Sequence, residues 1–269
     1  MPLNKKTTEI YYKLYTTDNI LNEDNFDILS IRLNADSFKY ATFNDVEQET
    51  AETLIWKTDV SLSLTANLRK FFQENEELCN CRQALVKLES TRFVTVPLEL
   101  FSETDAEVFF YHNHTKRENE TILYNKLKNP EVMVVYGFDT NAYHLLTAQF
   151  SEISFTIHLC SILTKLAERS RQGNNKKMYV NLTPDFIDVV CYDYGKLLLA
   201  NSYVCREMSD QFYYIMYAWL QVGFNQENDE IAFIGKTTEK AKLIASIDKY
   251  IRHRTDIKAI EEKETNNIQ

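Results

Sequence analysis

Asp27-Ile-Leu-Ser-Ile-Arg-Leu-Asn-Ala-Asp-Ser37 sets the frame for the chain, because its pattern returns as Met178-Tyr-Val-Asn-Leu-Thr-Pro-Asp-Phe186. In the first copy Leu29, Ile31 and Leu33 alternate with Ser30 and Arg32. A period of two residues is that of a strand with one buried face. Asn34-Ala-Asp-Ser37 breaks the strand. In the second copy Met178 to Leu182 reads as a strand, and Thr183-Pro-Asp185 breaks it.

The residues C-terminal to each copy also match. After the first, Phe38 to Phe43 predicts a second strand, Asn44-Asp45 a turn and Leu54-Ile-Trp56 a third strand. Ser63 then suits a helix N-cap. Leu64, Leu68, Phe71 and Phe72 fall on one helical face, and Gln83 to Leu88 predicts a fourth strand. After the second copy, Phe186 to Tyr192 and Leu197 to Val204 flank a hairpin turn at Asp193-Tyr-Gly-Lys196. Ser209 predicts a cap, with Met208 set to staple against Tyr213. The helix face is Phe212, Ile215, Met216, Trp219 and Leu220. Glu230 to Ile234 predicts the fourth strand, and Glu239 to Arg254 a helix with Leu243, Ile244, Ile247 and Ile251 on its apolar side. That places Arg252, His253 and Arg254 in the last turn, where cations suit the helix dipole. Ile31 and Val180 are 149 residues apart, Ser63 and Ser209 146, Leu85 and Ala232 147. Such constancy indicates a duplicated unit.

Between the copies lies a predicted insert, residues 91–171. It reads as a strand from Phe93 to Val96 ended by Pro97, a helix over 105–112, a polar loop over 113–129 and a strand from Glu131 to Tyr136. Ile153 to Ile157 predicts another strand. His158 to Arg171 predicts a helix bearing Leu159, Ile162, Leu163 and Leu166, which Gly173 can end. Gly173-Asn-Asn-Lys-Lys177 marks the boundary. The predicted organisation is a first half over 1–173 that contains the insert, a second half over 174–254, and a charged tail over 255–269.

The composition narrows the chemistry. The chain has 269 residues, a net charge of −9, 16 Tyr, 16 Phe and only 5 Gly. Few glycines argue against loops that wrap a phosphate with backbone N–H groups. The acidic balance argues against nucleic-acid binding, which needs a positive surface. No apolar run reaches the length of a membrane span. Residues 1–20 carry Lys5, Lys6, Glu9 and Asp18 without the apolar centre of a secretory signal. Cys79, Cys81, Cys160, Cys191 and Cys205 make an odd count, which fits reduced thiols in the cytoplasm.

Three strands, a helix and a further strand, given twice, resemble the actin-like ATPase superfamily, whose halves each have a ribonuclease-H-like core. The fold class is therefore expected to be α/β with mixed sheets, the insert forming a small subdomain. The chain is also similar to an uncharacterised bacterial family placed with the branch of this fold that contains the pilus-assembly protein PilM and the cell-division protein FtsA. The resemblance covers about residues 26–254. It implies that two strand-turn loops would hold ATP phosphates and Mg²⁺. In the family the first loop starts with Asp and contains Gly; here Arg32 and Asn34 stand at those places. In the second loop Asn181 replaces the Asp, and Thr183 and Pro184 replace glycines. Of the family's adenosine loop, Phe233-Ile-Gly-Lys236 keeps Gly235. Pro has no N–H to offer, and Mg²⁺ is held by carboxylates and phosphates. The expectation is thus the fold without the ATPase, a scaffold or adaptor with a protein partner and no cofactor. The alternative is an ATPase or small-molecule kinase that uses ATP and Mg²⁺ through displaced acids, Asp36 and Asp185. A nuclease would need more acids than Asp27 and Glu89 on its first and fourth strands.

Other constellations read as structural. Cys79-x-Cys81 lacks the two-residue spacing of a zinc or redox pair. His112-x-His114 reads as solvated loop histidines. His158 and Cys160 point to different helix faces. Phe212-Tyr-Tyr-Ile-Met-Tyr-Ala-Trp219 reads as a helix buried on most sides, with a partner surface as the second reading.

Overall fold

The computed structural model describes residues 28–43, 53–235 and 239–257. The expectations for residues 1–20, Asn44-Asp45, Lys236 and the tail beyond Ile257 lie outside the described residues. Among the described residues the protein is an α/β molecule with two five-stranded mixed sheets and a third sheet of three strands.

The first sheet contains β1 (Ile28–Leu33), β2 (Ser37–Phe43), β3 (Leu54–Lys57) and β4 (Gln83–Leu88). β1 pairs antiparallel with β2 and parallel with β4. Between β3 and β4 runs α1 (Leu64–Glu74), where the Ser63 hydroxyl accepts the Ala66 N–H at 3.2 Å. A small sheet comes next: β5 (Phe93–Pro97), β6 (Glu120–Lys128) and β7 (Glu131–Asp139), in the order β5-β7-β6, with α2 (Ala106–Asn113) on one side. The chain returns through α3 (Thr140–Gln149) to β8 (Glu152–Ile157) and α4 (His158–Ser170).

The second sheet repeats the first. β9 (Lys177–Leu182), β10 (Phe186–Asp193) and β11 (Lys196–Val204) lead to α5 (Met208–Val222), β12 (Glu230–Gly235), α6 (Lys240–Ile247) and β13 (His253–Asp256). The strand orders are β3-β2-β1-β4-β8 and β11-β10-β9-β12-β13, the same topology twice. The turns repeat as well. Asn34 N–H donates to the Ser37 carbonyl as Thr183 N–H does to that of Phe186, and Thr58 N–H donates to Asp36 as Cys205 N–H does to Asp185. Tyr194 and Gly195 both have positive φ at the β10–β11 hairpin, as its two-residue turn demands.

Several sequence expectations need correction. β8 is the fifth strand of the first sheet, paired parallel with β4; it belongs to the first core, so the insert ends before it rather than at residue 171. Residues 120–128, expected as loop, form β6. Ile122 and Tyr124 face one cluster, Leu123 and Leu127 another, so apolar residues occupy both parities and no alternation shows. The long helix expected over 239–254 stops at Ile247, and Arg252 to Arg254 lead into and form the short strand β13, paired with β12. Thr255 and Asp256 thus belong to the second sheet rather than to a tail. The helix expected after Ser209 begins at Met208, with Glu207 at its cap. α3 has no counterpart among the sequence expectations, although the Asp139 carboxylate caps it by accepting the Ala142 N–H at 2.7 Å.

Among the described residues, three of four apolar clusters hold the two large sheets. Leu29, Ile31, Leu33, Phe38, Ala84 and Val86 pack with Leu68, Phe71 and Leu146 on one face of the first sheet. Met178, Val180, Ile187, Val189, Ile231 and Phe233 pack with Ile215, Trp219, Leu243 and Ile247 on one face of the second. The other face of the second sheet, with Tyr179, Val190, Tyr192, Ala232 and Ile234, packs with α4 and with Phe93, Val132 and Val134 of the small sheet. α4 and the insert thus join the halves through a continuous apolar core.

No helix among the described residues is long and apolar enough to cross a membrane.

Candidate functional site

The site lies where the two duplicated strand-turn loops approach α4. Asp188 stands mid-strand on β10, fully buried. A buried carboxylate is costly unless it is paired and hydrogen-bonded. Here the His158 Nε2–H donates to Asp188 Oδ2 at 3.1 Å and the Asn181 amide donates to the same oxygen at 2.9 Å. The Ser202 hydroxyl donates to Oδ1. His158 is the first residue of α4, which comes directly after the first sheet, whereas Asp188, Asn181 and Ser202 belong to the second. One buried ion pair therefore ties the two halves.

The charge states are set by the packing. Burial works against the His158 imidazolium, but the Asp188 carboxylate beside it overrides that penalty and raises its pKa, with a smaller contribution from Glu89 and opposition from Arg32. Burial also opposes the Asp188 carboxylate, yet His158 and the hydrogen bonds from His158, Ser202 and Asn181 hold its pKa below the usual value. Arg32 at the end of β1 and Glu89 just after β4 thus lie within electrostatic reach of the pair.

The other sequence-selected residues take separate places. Asn34 is half-buried in the β1–β2 turn. Asp36 is exposed and accepts the Ser37 hydroxyl at 2.9 Å. Thr183 closes its own turn, its hydroxyl donating to the Phe186 carbonyl at 2.6 Å. Asp185 is exposed and ion-paired with Arg206 at 2.8 Å. Gly235, with φ of 74°, ends β12 against Leu182, and a Cβ there would overlap the Leu182 carbonyl oxygen. Asn181 alone among these joins the His158–Asp188 cluster. Asp36 and Asp185 are each tied within their own half.

The discounted motifs are also placed. His114 donates from Nε2 to the Phe93 carbonyl at 3.0 Å and stacks near Phe110, so it is half-buried rather than solvated; His112 is exposed in the last turn of α2. Burial raises the Cys79 and Cys160 thiols, the latter to about 11. All five cysteines are free thiols. Among the described residues no group of three or more His, Cys, Asp or Glu converges as a metal site. On α5, Gln211, Ile215, Ala218 and Trp219 are buried, whereas Tyr213, Tyr217 and Leu220 are exposed. Leu220 thus lies off the face assigned to it.

Sequence reasoning missed Asp188. The available signal was an acid inside the apolar run Ile187-Asp-Val-Val190. It also missed Lys39 and Lys87, which flank Arg32. Arg32 is the cross-strand partner of Lys39 on β2 and of Lys87 on β4. These two lysines were hidden because their row exists only once three strands are in register.

The sequence matches, over residues 16–253, the family described as "Protein of unknown function (DUF3822)". A crystal structure from Bacteroides thetaiotaomicron, of a protein with actin-like ATPase fold and unknown function, superposes with a TM-score of 0.80 at 38% identity. The match covers 86% of this chain and 91% of that one. The PilM-PilN type IV pilus biogenesis complex gives a TM-score of 0.60 at 11% identity, with 89% of each chain covered, a likeness of fold alone. No curated protein matches the sequence.

Proposed function

From the premise that this chain belongs to the family described as protein of unknown function DUF3822 and has the actin-like ATPase fold, we propose that it is a cytoplasmic scaffold that binds a protein partner and does not hydrolyse ATP. The observation that carries this reading is the use already made of the loop groups. Asn34 N–H is bonded to Ser37 and Thr183 N–H to Phe186, Pro184 has no N–H, and the Asn181 amide is engaged by Asp188. At the two positions where the fold's ATPases place a carboxylate toward the metal stand a guanidinium, Arg32, and that amide. Gly235 serves a close strand contact. This donor set does not fit a Mg²⁺-bound triphosphate.

The scaffold part rests on a resemblance in fold to PilM, whose structure is that of a complex with PilN. Free thiols at all five cysteines suit a reducing compartment. The test is a thermal-shift and calorimetric titration with Mg·ATP. The expected result is an unchanged melting temperature and no phosphate release at millimolar nucleotide. Saturable binding at micromolar concentration would overturn the reading.

A further inference from the structure

The outer face of α5 differs in kind from that of its counterpart in the first half. Aligned on their N-caps, Ser63 and Glu207, α1 and α5 bury equivalent residues: Asn67 and Phe71 in one, Gln211 and Ile215 in the other. On its solvent side α1 shows Arg69, Lys70 and Gln73, all exposed. The same positions of α5 hold Tyr213, Tyr214 and Tyr217. Asp210, Tyr213, Tyr217 and Leu220 follow one another at three- and four-residue steps, so they form a single stripe along the helix. At 1.5 Å of rise per residue the stripe is about 15 Å long. Tyr213, Tyr217 and Leu220 expose 60%, 46% and 67% of their surface. Isolated exposed apolar residues are ordinary, whereas a contiguous exposed patch marks an interaction surface.

The rings are ordered against one another. Tyr213 and Tyr217 stack with centroids 6.0 Å apart and 16° between their planes. Tyr213 meets Tyr214 edge to face at 5.4 Å, and Tyr214 stacks on Tyr203 of β11 at 4.5 Å. A row of four rings thus holds the two outermost in place, which lowers the ordering cost of binding. The charge at the N-terminal end of the stripe is negative. Asp210 begins it and Glu207 lies one turn before; both are exposed, and neither has an ion-pair partner among the described residues. Arg206, beside them, is held by Asp185 at 2.8 Å. Residues 207–221 contain no Lys or Arg.

We propose that this stripe is the docking surface for an arginine-bearing segment of a partner protein. The face of a tyrosine ring attracts a guanidinium, which also stacks on it. The Glu207 and Asp210 carboxylates supply the opposite charge at one end, and Leu220 offers an apolar contact at the other. Tyr and Arg are enriched among the residues that carry most of the energy of protein interfaces. The charges select the occupant: an acidic segment would be repelled, and a second copy of the same stripe brings no base to answer the two acids. The inference rests on the partner-binding reading above and adds the partner's chemistry.

The test uses the full chain and a pair of labelled helical peptides, alike except that one carries Arg and the other Gln at i, i+4 and i+7. Fluorescence anisotropy at low salt is expected to show at least a tenfold preference for the Arg peptide. Tyr213→Arg with Tyr217→Gln, which copies the outer face of α1 onto α5, is expected to abolish that preference. Tyr213→Phe with Tyr217→Phe keeps the rings and should hold it within about twofold. Asp210→Asn should reduce it severalfold, whereas Leu100→Ala, at an exposed position in the insert, leaves it unchanged. Tyr213→Ala alone, expected to reduce it severalfold, keeps the test open if the Arg–Gln variant does not melt cooperatively. Equal binding of the two peptides, no binding of either, or an unaltered preference in the folded variants overturns the inference. A Lys5→Gln, Lys6→Gln, Lys13→Gln variant that binds the Arg peptide more tightly would assign the stripe to the chain's own N-terminal segment and overturn it too. So would a dimer in sedimentation that the Tyr213→Arg, Tyr217→Gln variant dissociates. Saturable binding of micromolar Mg·ATP would instead bring down the proposed function. Absence of both peptide and ATP binding brings down only the arginine-bearing partner.

Discussion

In the first half, β1 alternates buried Leu29, Ile31 and Leu33 with half-buried Ser30 and Arg32; in the second, the equivalent β9 buries Met178, Tyr179, Val180 and Leu182 with only Asn181 half-buried between them. β2 buries Phe38 alone, whereas its counterpart β10 buries every residue from Ile187 to Tyr192. The topology is the same, but the strands of the second sheet are enclosed more completely than those of the first. The difference teaches that the duplicated fold fixes where strands go and leaves their surroundings to be set independently. A sheet enclosed on both sides tolerates an internal acid only with dedicated partners, and Asp188 has three. The half-buried strands of the first sheet instead carry Lys87, Arg32 and Lys39 side by side.

The sharpest way to break this comparison is to truncate the equivalent residues Asp188 and Lys39. Asp188→Ala leaves His158 buried without its counter-charge and is expected to cost about 3–5 kcal/mol. Lys39→Ala, at a half-buried position, is expected to cost under about 1 kcal/mol. Urea unfolding of the two variants reads the contrast; equal losses would refute it. Next in size is Leu163→Ala. Leu163 is fully buried on α4 where the halves meet, and about 2–5 kcal/mol is expected from the lost burial and the cavity, read by the same method.

Gly235→Ala should come third, at about 2 kcal/mol. The positive φ costs a residue with a Cβ about 1–2 kcal/mol, and the Leu182 carbonyl must shift. A melting temperature equal to that of the parent would show that this strand end yields freely.

The ion pair also sets a pH dependence. The raised pKa of His158 makes its contribution complete below the unfolded value near 6.5 and lost as pH rises through the folded value. The lowered pKa of Asp188 makes its contribution complete above about 3.9 and lost as pH falls through its folded value. Stability from the pair should therefore be level between about pH 4 and 6.5 and decline on the alkaline side. His158→Asn should flatten that decline in urea midpoints taken from pH 5 to 9. The smallest effect is expected at the surface, where Asp185→Asn removes an exposed ion pair with Arg206 and should change stability by under about 1 kcal/mol.

Legibility in the sequence tracks the enclosure of each element. α1 is readable from Ser63 and the spacing of Leu68, Phe71 and Phe72, because a helix on one sheet face shows its buried stripe. β6 is not, because apolar residues on both its faces erase the period of two. β13 is not, because a four-residue edge strand is too short to show a period, and its pairing with β12 decides its state. At the site, the substitutions Arg32, Asn181, Thr183 and Pro184 are visible in the two turns. The partners of Asp188 are not, since His158 comes from another sheet's helix.

The sequence by itself determined the duplication, the α/β class and the residues at the two turns, because local periodicity and turn chemistry act over a few residues and survive in a linear string. The tertiary structure alone decided that α4 closes one sheet and not the other, that His158 meets Asp188, and that Lys87, Arg32 and Lys39 stand in one row. Those are contacts between residues far apart along the chain, and their geometry exists only once strand register and the packing of the halves are fixed.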